Sequence, residues 1–273
     1  MNSVATRIRN RVKSLPLVRD QLKRRRIAGF LSPDGFATYY GVFRSFEEAR
    51  RFLPPSPEFD QLDTAQAYEH ERMHRVFCYD YPVMHWLGEA FRAGARSVYD
   101  IGGSIGVHYF AYRRYLRYPA ALTWEICETP RVVKAGREIA RREEAPGLSF
   151  TDALDPSRVR ADVWISAGAL QYIENGYLGE LLAACPHPPG YVIVNKLPLY
   201  VGDDFVTTQN VGPRMFAPVH VYNRARFIRA AEAAGFGLAD AWDVPERELR
   251  LPGHPERSFP RFSGLCLHQM KDA

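Results

Sequence analysis

A chain of 273 residues can form one large domain, or one domain with a cap, and 46% hydrophobic residues supply a sizeable core. It has no run of about 18 apolar residues to span a membrane, and its four cysteines stand singly without a C-x-x-C pair, which argues against a zinc site or a disulfide framework. The net charge of +5 is unevenly spread.

Most of the excess lies in residues 1–30. Nine arginines and lysines between Arg7 and Arg26 share that stretch with one acid, Asp20, and Val4, Ile8, Val12 and Leu15 interleave at roughly helical spacing until Pro16. This basic arm suits peripheral contact of residues 1–26 with an anionic membrane face or an acidic partner. The alternative is a solvated helix. Nucleic acid is disfavoured, because no aromatic interleaving accompanies the charges. No apolar segment followed by a small-residue cleavage site is evident at the N-terminus, so the expected location is cytoplasmic.

Leu31–Gly41, with Pro33, Gly35 and Gly41, reads as a loop. Ser45 caps a helix with Glu48 three residues on, and Pro54, Pro55 and Pro57 stop it. From Gln61 to Phe91 the pattern is helical, broken near Tyr81-Pro82. Residues 31–95 are therefore expected to form a helical cap, and residues 96–273 the main domain.

From Arg96 strand and helix patterns alternate. Strands are expected over Val98–Ile101, Leu122–Cys127, Leu148–Thr151, Asp162–Ser166, Tyr191–Asn195, Gly237–Trp242 and Ser263–Gln269. Helices are expected over Val107–Leu116, from Pro130, over Tyr177–Ala184 and over Arg224–Ala234, the last closed by Gly235. This pattern predicts an α/β fold: a doubly wound, mostly parallel seven-stranded sheet. The last two strands have no helix between them, so an antiparallel edge is expected. Two connections, Lys196–Tyr222 and Val244–Phe262, are longer than passive loops usually run and read as segments that close over a substrate.

The most informative stretch is Asp100-Ile101-Gly102-Gly103-Ser104-Ile105-Gly106, at a strand-to-helix turn. Glycines there let the backbone approach a ligand closely. A dinucleotide fingerprint would place its first glycine at position 101, which is Ile, and here an acid precedes it. A carboxylate repels a pyrophosphate but suits a ligand carrying an ammonium and a sulfonium, which is S-adenosyl-L-methionine. Glu128, about 20 residues beyond the glycines at the exit of the second strand, is positioned to hold ribose hydroxyls, and is preferred to Glu125. Asp152, ending the third strand, can accept the adenine amino group, with Phe150 either on the ring or in the core. After the fourth strand, Ser166 and Gln171 reach the methionine end.

These motifs resemble the class I, seven-strand S-adenosylmethionine-dependent methyltransferases, whose first motif the glycine turn resembles. More narrowly, the chain is similar to a bacterial methyltransferase family found often among genes for surface polysaccharides. The similar stretches are Tyr40–Ala49, the glycine turn, Val194–Pro198, Thr207–Asn210 and Val221–Arg224. The resemblance runs from about residue 38 to the end and implies the fold and the cofactor, not the substrate. Ser104 departs from it, since many members carry another glycine there. A serine calls for an ordinary backbone conformation and a slightly wider turn, with a hydroxyl free to bond the cofactor.

Methyl transfer needs donor, methyl and acceptor held in line with water excluded, and a hydroxyl acceptor needs a base. The expected acceptor is a small polar or sugar-containing molecule methylated on oxygen. Candidate catalytic groups are His220, His254 and Asp204, and candidate substrate contacts are Lys196, Gln209, Asn210 and Asn223. His220 lies in an apolar run that equally suits packing. His108, Asp203, Glu256, Arg257 and the tyrosines at 39, 40, 68 and 200 are further candidates. No metal-ligand spacing is present among these residues. Two rival readings keep the same fold: a silent S-adenosylmethionine binder or scaffold, and a nicotinamide-dependent oxidoreductase.

Overall fold

The computed structural model describes residues 16–61 and 71–270, so the basic residues up to Lys13, and Tyr68, lie outside the described part. Its centre is a seven-stranded sheet. In chain order the strands are β2 (Ser97–Ile101), β3 (Thr123–Cys127), β4 (Leu148–Thr151), β5 (Val163–Ala167), β6 (Tyr191–Leu197), β10 (Phe236–Val244) and β11 (Phe262–Gln269). They lie in the order β10-β11-β6-β5-β2-β3-β4. From β4 to β6 all pairings are parallel, whereas β11 runs antiparallel to both β6 and β10. The last two strands thus pair antiparallel at one edge, as the lack of a helix between them predicts, with β11 one place in from β10.

Both faces of the sheet are covered, which is why its central strands read as nearly continuous apolar runs. Val98, Trp124, Ile126, Ile165 and Ile193 pack with Leu87, Phe110 and Val133 in one core. Tyr99, Ile101, Trp164, Val192 and Val194 pack with Leu178, Leu182 and Phe227 in the other. The period-two alternation along β2 puts Asp100 on the same side as Val98. The helices Val107–Tyr112, Pro130–Arg142, Leu178–Ala183 and Arg224–Ala233 stand close to where the sequence predicts them. Pro130 opens the second, and Gly235, at φ 88°, follows the last.

Residues 196–222 are not a loop. They supply β7 (Leu199–Tyr200), β8 (Phe205–Gly212) and β9 (Met215–Asn223), which join β1 (Tyr39–Phe43) in a second sheet ordered β1-β8-β9-β7. Pro218 sits opposite Thr208 in this sheet, where β7 does not reach, so its missing N–H faces an unpaired edge. β1 falls in the segment expected to be a loop and then a cap of helices. Its partner lies about 170 residues away by the Tyr39↔Gln209 pairing, a distance over which local periodicity carries no signal. Val244–Phe262 remains largely irregular, with one bridge between Leu249 and Phe259.

The helix Pro16–Leu31 begins at Pro16 and runs through residue 30 without a break. Its described basic side chains, Lys23 to Arg26, are exposed, and its C-terminal end docks through buried Phe30. That ring lies 5.7 Å from Tyr40 and 5.6 Å from Phe216. Ser45 caps the helix Phe46–Phe52 by accepting from the Glu48 N–H, as its sequence predicts. Asn210 anchors the docked helix, its amide donating to the carbonyls of Phe30 (2.7 Å) and Ser32 (3.0 Å) while its oxygen accepts from Gly212 N–H. With every polar atom of Asn210 bonded to backbone, Asn210→Ala should cost about 2 kcal/mol in urea unfolding. Unchanged stability would show that the helix does not depend on this anchor.

Candidate active site

In an open α/β sheet the ligand crevice lies beyond the carboxyl ends of the strands, where the winding reverses. Here that point is between β2 and β5, whose neighbours lie on opposite sides. The glycine turn leaves β2, and Gly168-Ala169 leaves β5. The two loops touch: a Cβ added at Gly102 would stand 2.0 Å from the Ala169 Cβ. Gly102 also takes φ 74°, and its N–H donates to Cys127 O at 2.9 Å, tying the turn to the end of β3.

Asp100 is fully buried beneath this turn. One oxygen, Oδ2, lies 2.9 Å from His108 Nδ1 and accepts from Trp124 Nε1 at 3.3 Å. The other, Oδ1, has no partner among the described residues. Gly103 must lack a side chain, because a Cβ there would fall 2.4 Å from Asp100 Oδ2.

Ser104 does not keep the ordinary backbone conformation expected of it. It takes the left-handed conformation, φ 54°, which costs a residue with a Cβ about 1 kcal/mol. Glu128 holds it there, Oε1 accepting from Ser104 N–H and Oε2 from Thr129 N–H, each at 3.0 Å. Burial pushes the Glu128 carboxyl above its usual range, opposed by these two backbone donors. Glu125 is exposed. Gly106 caps the following helix at φ 101°.

Ser166 is buried and donates to Ile101 O at 3.0 Å, bridging β5 to β2. Gln171 is buried with Oε1 unpartnered. Asp152 is exposed at the end of β4. Phe150 belongs to the core, seated on Gly136 so closely that a Cβ there would lie 2.3 Å from its ring.

Several residues singled out in the sequence have their partners away from the glycine turn. His220 is buried 4.4 Å from the Phe46 ring and 5.1 Å from Tyr177, with Nε2 3.1 Å from Glu174 O. Asp204 accepts from Asn223 N–H and pairs with Arg226 at 2.6 Å. Asn223 caps the helix Arg224–Ala233, accepting from Arg226 N–H at 2.8 Å and donating to Val201 and Gly202 carbonyls. His254 stands in the Val244–Phe262 segment, 3.4 Å from Glu256. None of these four meets the glycine turn in any bond the structure makes.

Two candidates do gather with groups near the site. Gln209 is buried and its Oε1 accepts from Tyr172 OH at 2.6 Å, so β8 bonds the segment that follows β5. Lys196 is the next-to-last residue of β6, its aliphatic stem lying over Gly168 and its Nζ 4.9 Å from the centre of the Tyr79 ring. Sequence reasoning missed Tyr79 and Asp80, which come from the segment before the helix Tyr81–Arg92. Asp80 accepts from Tyr112 OH at 3.0 Å and Phe77 N–H at 2.8 Å.

No protein-family model matches this sequence, and no curated protein does. Among solved structures, a sarcosine dimethylglycine methyltransferase candidate from Galdieria sulphuraria is similar at 10% identity and a TM-score of 0.52, covering 76% of this chain and 98% of its own. The 1,6-didemethyltoxoflavin-N1-methyltransferase of Burkholderia thailandensis, with bound 1,6-didemethyltoxoflavin and S-adenosylhomocysteine, is 17% identical at a TM-score of 0.48, covering 77% and 84%. The first likeness shows the fold alone: this chain and that methyltransferase share an α/β architecture.

Burial pushes the His220 imidazole pKa below its ordinary value. The unfolded chain therefore binds this proton more readily than the folded one, so stability is present above about pH 6.5 and declines as pH falls below it. His268, shifted the same way by burial, adds to that slope. His220→Phe should make the acid loss of stability in urea shallower. A slope unchanged by the substitution would contradict a packing role.

Proposed function

We propose that the protein is an S-adenosyl-L-methionine-dependent methyltransferase that methylates an oxygen of a small polar or sugar-containing acceptor. The observation that carries this reading is the buried Asp100 carboxylate with an unmet acceptor atom directly below a left-handed glycine turn at the switch point. Above that turn an anionic pyrophosphate would bring only acceptors to a buried carboxylate that has one acceptor atom still unmet, whereas a cationic ligand brings donors. Gln171 Oε1, a second buried acceptor without a partner, also fits a ligand that brings donors.

The residues that would hold the cofactor are Asp100, Gly102, Gly103, Ser104 and Gly106 at the turn, Glu128 at the ribose, Asp152 at the adenine, and Ser166 and Gln171 at the amino-acid end. When bound, S-adenosyl-L-methionine supplies an electrophilic methyl group on a positively charged sulfur. Glu128 accepts two hydrogen bonds already, and ionised it retains lone pairs for hydroxyl donors. The tyrosines near β5 and β1, with the Gln209 amide, offer hydroxyl and amide groups suited to a polyhydroxyl acceptor. The exposed basic side chains of the helix Pro16–Leu31 suit an anionic surface or partner.

Calorimetric titration with S-adenosylhomocysteine tests the reading. The protein should bind it, and Glu128→Gln should weaken binding by about tenfold or more, the cost of exchanging a charged acceptor for a neutral one. Asp100→Asn should weaken it as well, with the unfolding curve recorded to confirm a folded variant. Protection by NAD with no response to S-adenosylhomocysteine would overturn the proposal.

A further inference from the structure

Lys196 stands out among the charged side chains of the described residues. It is 9% exposed, and it is the residue after Asn195, which pairs with Ala167 across β5 and β6. Its backbone is left-handed, φ 56°. Non-glycine residues persist in that conformation only where the surrounding structure over-determines them. The holding group is Asn195, fully buried, whose Oδ1 accepts from Lys196 N–H at 3.0 Å and from Trp242 Nε1 at 3.1 Å while Nδ2 donates to Tyr79 O at 2.8 Å.

The direction is set by a missing side chain. A Cβ at Gly168 would lie 3.1 Å from Lys196 Cε and 3.5 Å from its Cβ, so the stem passes directly over the loop that leaves β5. The next residue, Ala169, is the one that meets Gly102 of the glycine turn. Lys196 thus crosses from the end of β6 to the edge of the crevice. Its Nζ makes no hydrogen bond or ion pair with any described residue.

The groups facing it are Tyr79, whose ring favours the ammonium, the carboxylates Asp80 and Asp100, and the guanidiniums Arg72 and Arg247. Burial first, then the two arginines, lower its pKa to about 8 against the opposing pull of the two acids. Asp80 is already committed to Tyr112 OH and Phe77 N–H. Other bases near the site are poorer. His108 is bonded to Asp100, and burial pushes the Tyr39, Tyr79 and Tyr112 phenols upward.

We infer that Lys196 is the catalytic base, its neutral amine at the edge of the crevice taking the proton of the acceptor hydroxyl. The O–H electron pair stays on oxygen and forms the O–C bond. The C–S pair leaves with sulfur as a neutral thioether, and the proton ends on Nζ as an ammonium that returns it to solvent. The assignment rests on the cofactor reading above, and one set of titrations separates the two.

Full-length protein and Lys196→Met are titrated with S-adenosylhomocysteine and with sinefungin, which carries an amine where the sulfonium methyl would be. Both proteins should bind S-adenosylhomocysteine. Sinefungin's cationic amine should be repelled by a protonated Lys196. Its affinity relative to S-adenosylhomocysteine should therefore rise about tenfold in the wild type between about pH 7 and about pH 9, beyond any rise in Lys196→Met. A ratio that ignores both residue 196 and pH overturns the assignment and leaves the cofactor reading standing. Failure of the wild type to bind S-adenosylhomocysteine overturns both.

Should Lys196→Met not fold, competitive acetylation of the wild type decides. Lys196 should react half-maximally near pH 8, with exposed Lys134 as the internal reference, and bound sinefungin should slow it. An unprotected Lys196 titrating with Lys134 overturns the assignment.

Discussion

One buried carboxylate organises this molecule. Asp100 sits on the central strand with no exposed surface, and its charge is met by His108 from the following helix and Trp124 from the next strand. Burying a carboxylate with incomplete pairing is costly. That cost is borne where the fold must stay open, beneath a turn whose glycines leave no side chain between carboxylate and crevice. Gly103 cannot carry a Cβ for this reason, and the Ser104 conformation is held from the other side by Glu128. The turn is thus clamped between two acids.

The second constraint is long-range. The small sheet β1-β8-β9-β7 draws one strand from residues 39–43 and three from residues 199–223, and sets them beside the carboxyl ends of β5 and β6. It is bonded to the main domain through Tyr172 and Gln209, while Asn195 ties β6 to the Tyr79 backbone. Polar groups that lie far apart in the chain therefore meet beside Lys196, and its unusual backbone conformation is supported by a fully bonded amide. Strain at such a position persists only when its surroundings over-determine it.

Much of the site was legible because it is local. The turn from Asp100 to Gly106 and the preference for Glu128 over Glu125 depend on residues a few positions apart or one strand apart. What misled was the polar side chain whose partners are backbone groups. Asn210, Asn223 and Asp204 look like ligand contacts by type, yet each is bonded to carbonyls or N–H groups that a long connection would otherwise leave unmet. His220 shows the same limit in apolar form, since only the packed rings of Phe46, Tyr177 and Tyr222 reveal where it lies. The threonines of Thr207–Asn210 suit a strand, and Pro218 is accommodated opposite Thr208 where no third strand reaches.

The sequence alone determined the alternation of strands and helices, the position of the glycine turn and the acid in front of it, because each follows from periodicity and backbone sterics within a short window. Tertiary structure decided that Asp100 faces inward, that the long connection is a sheet, and that Lys196 lies over Gly168. Those outcomes depend on pairings and burial between residues up to about 170 positions apart, as in Tyr39 and Gln209, and no local pattern encodes which distant backbone will supply a partner.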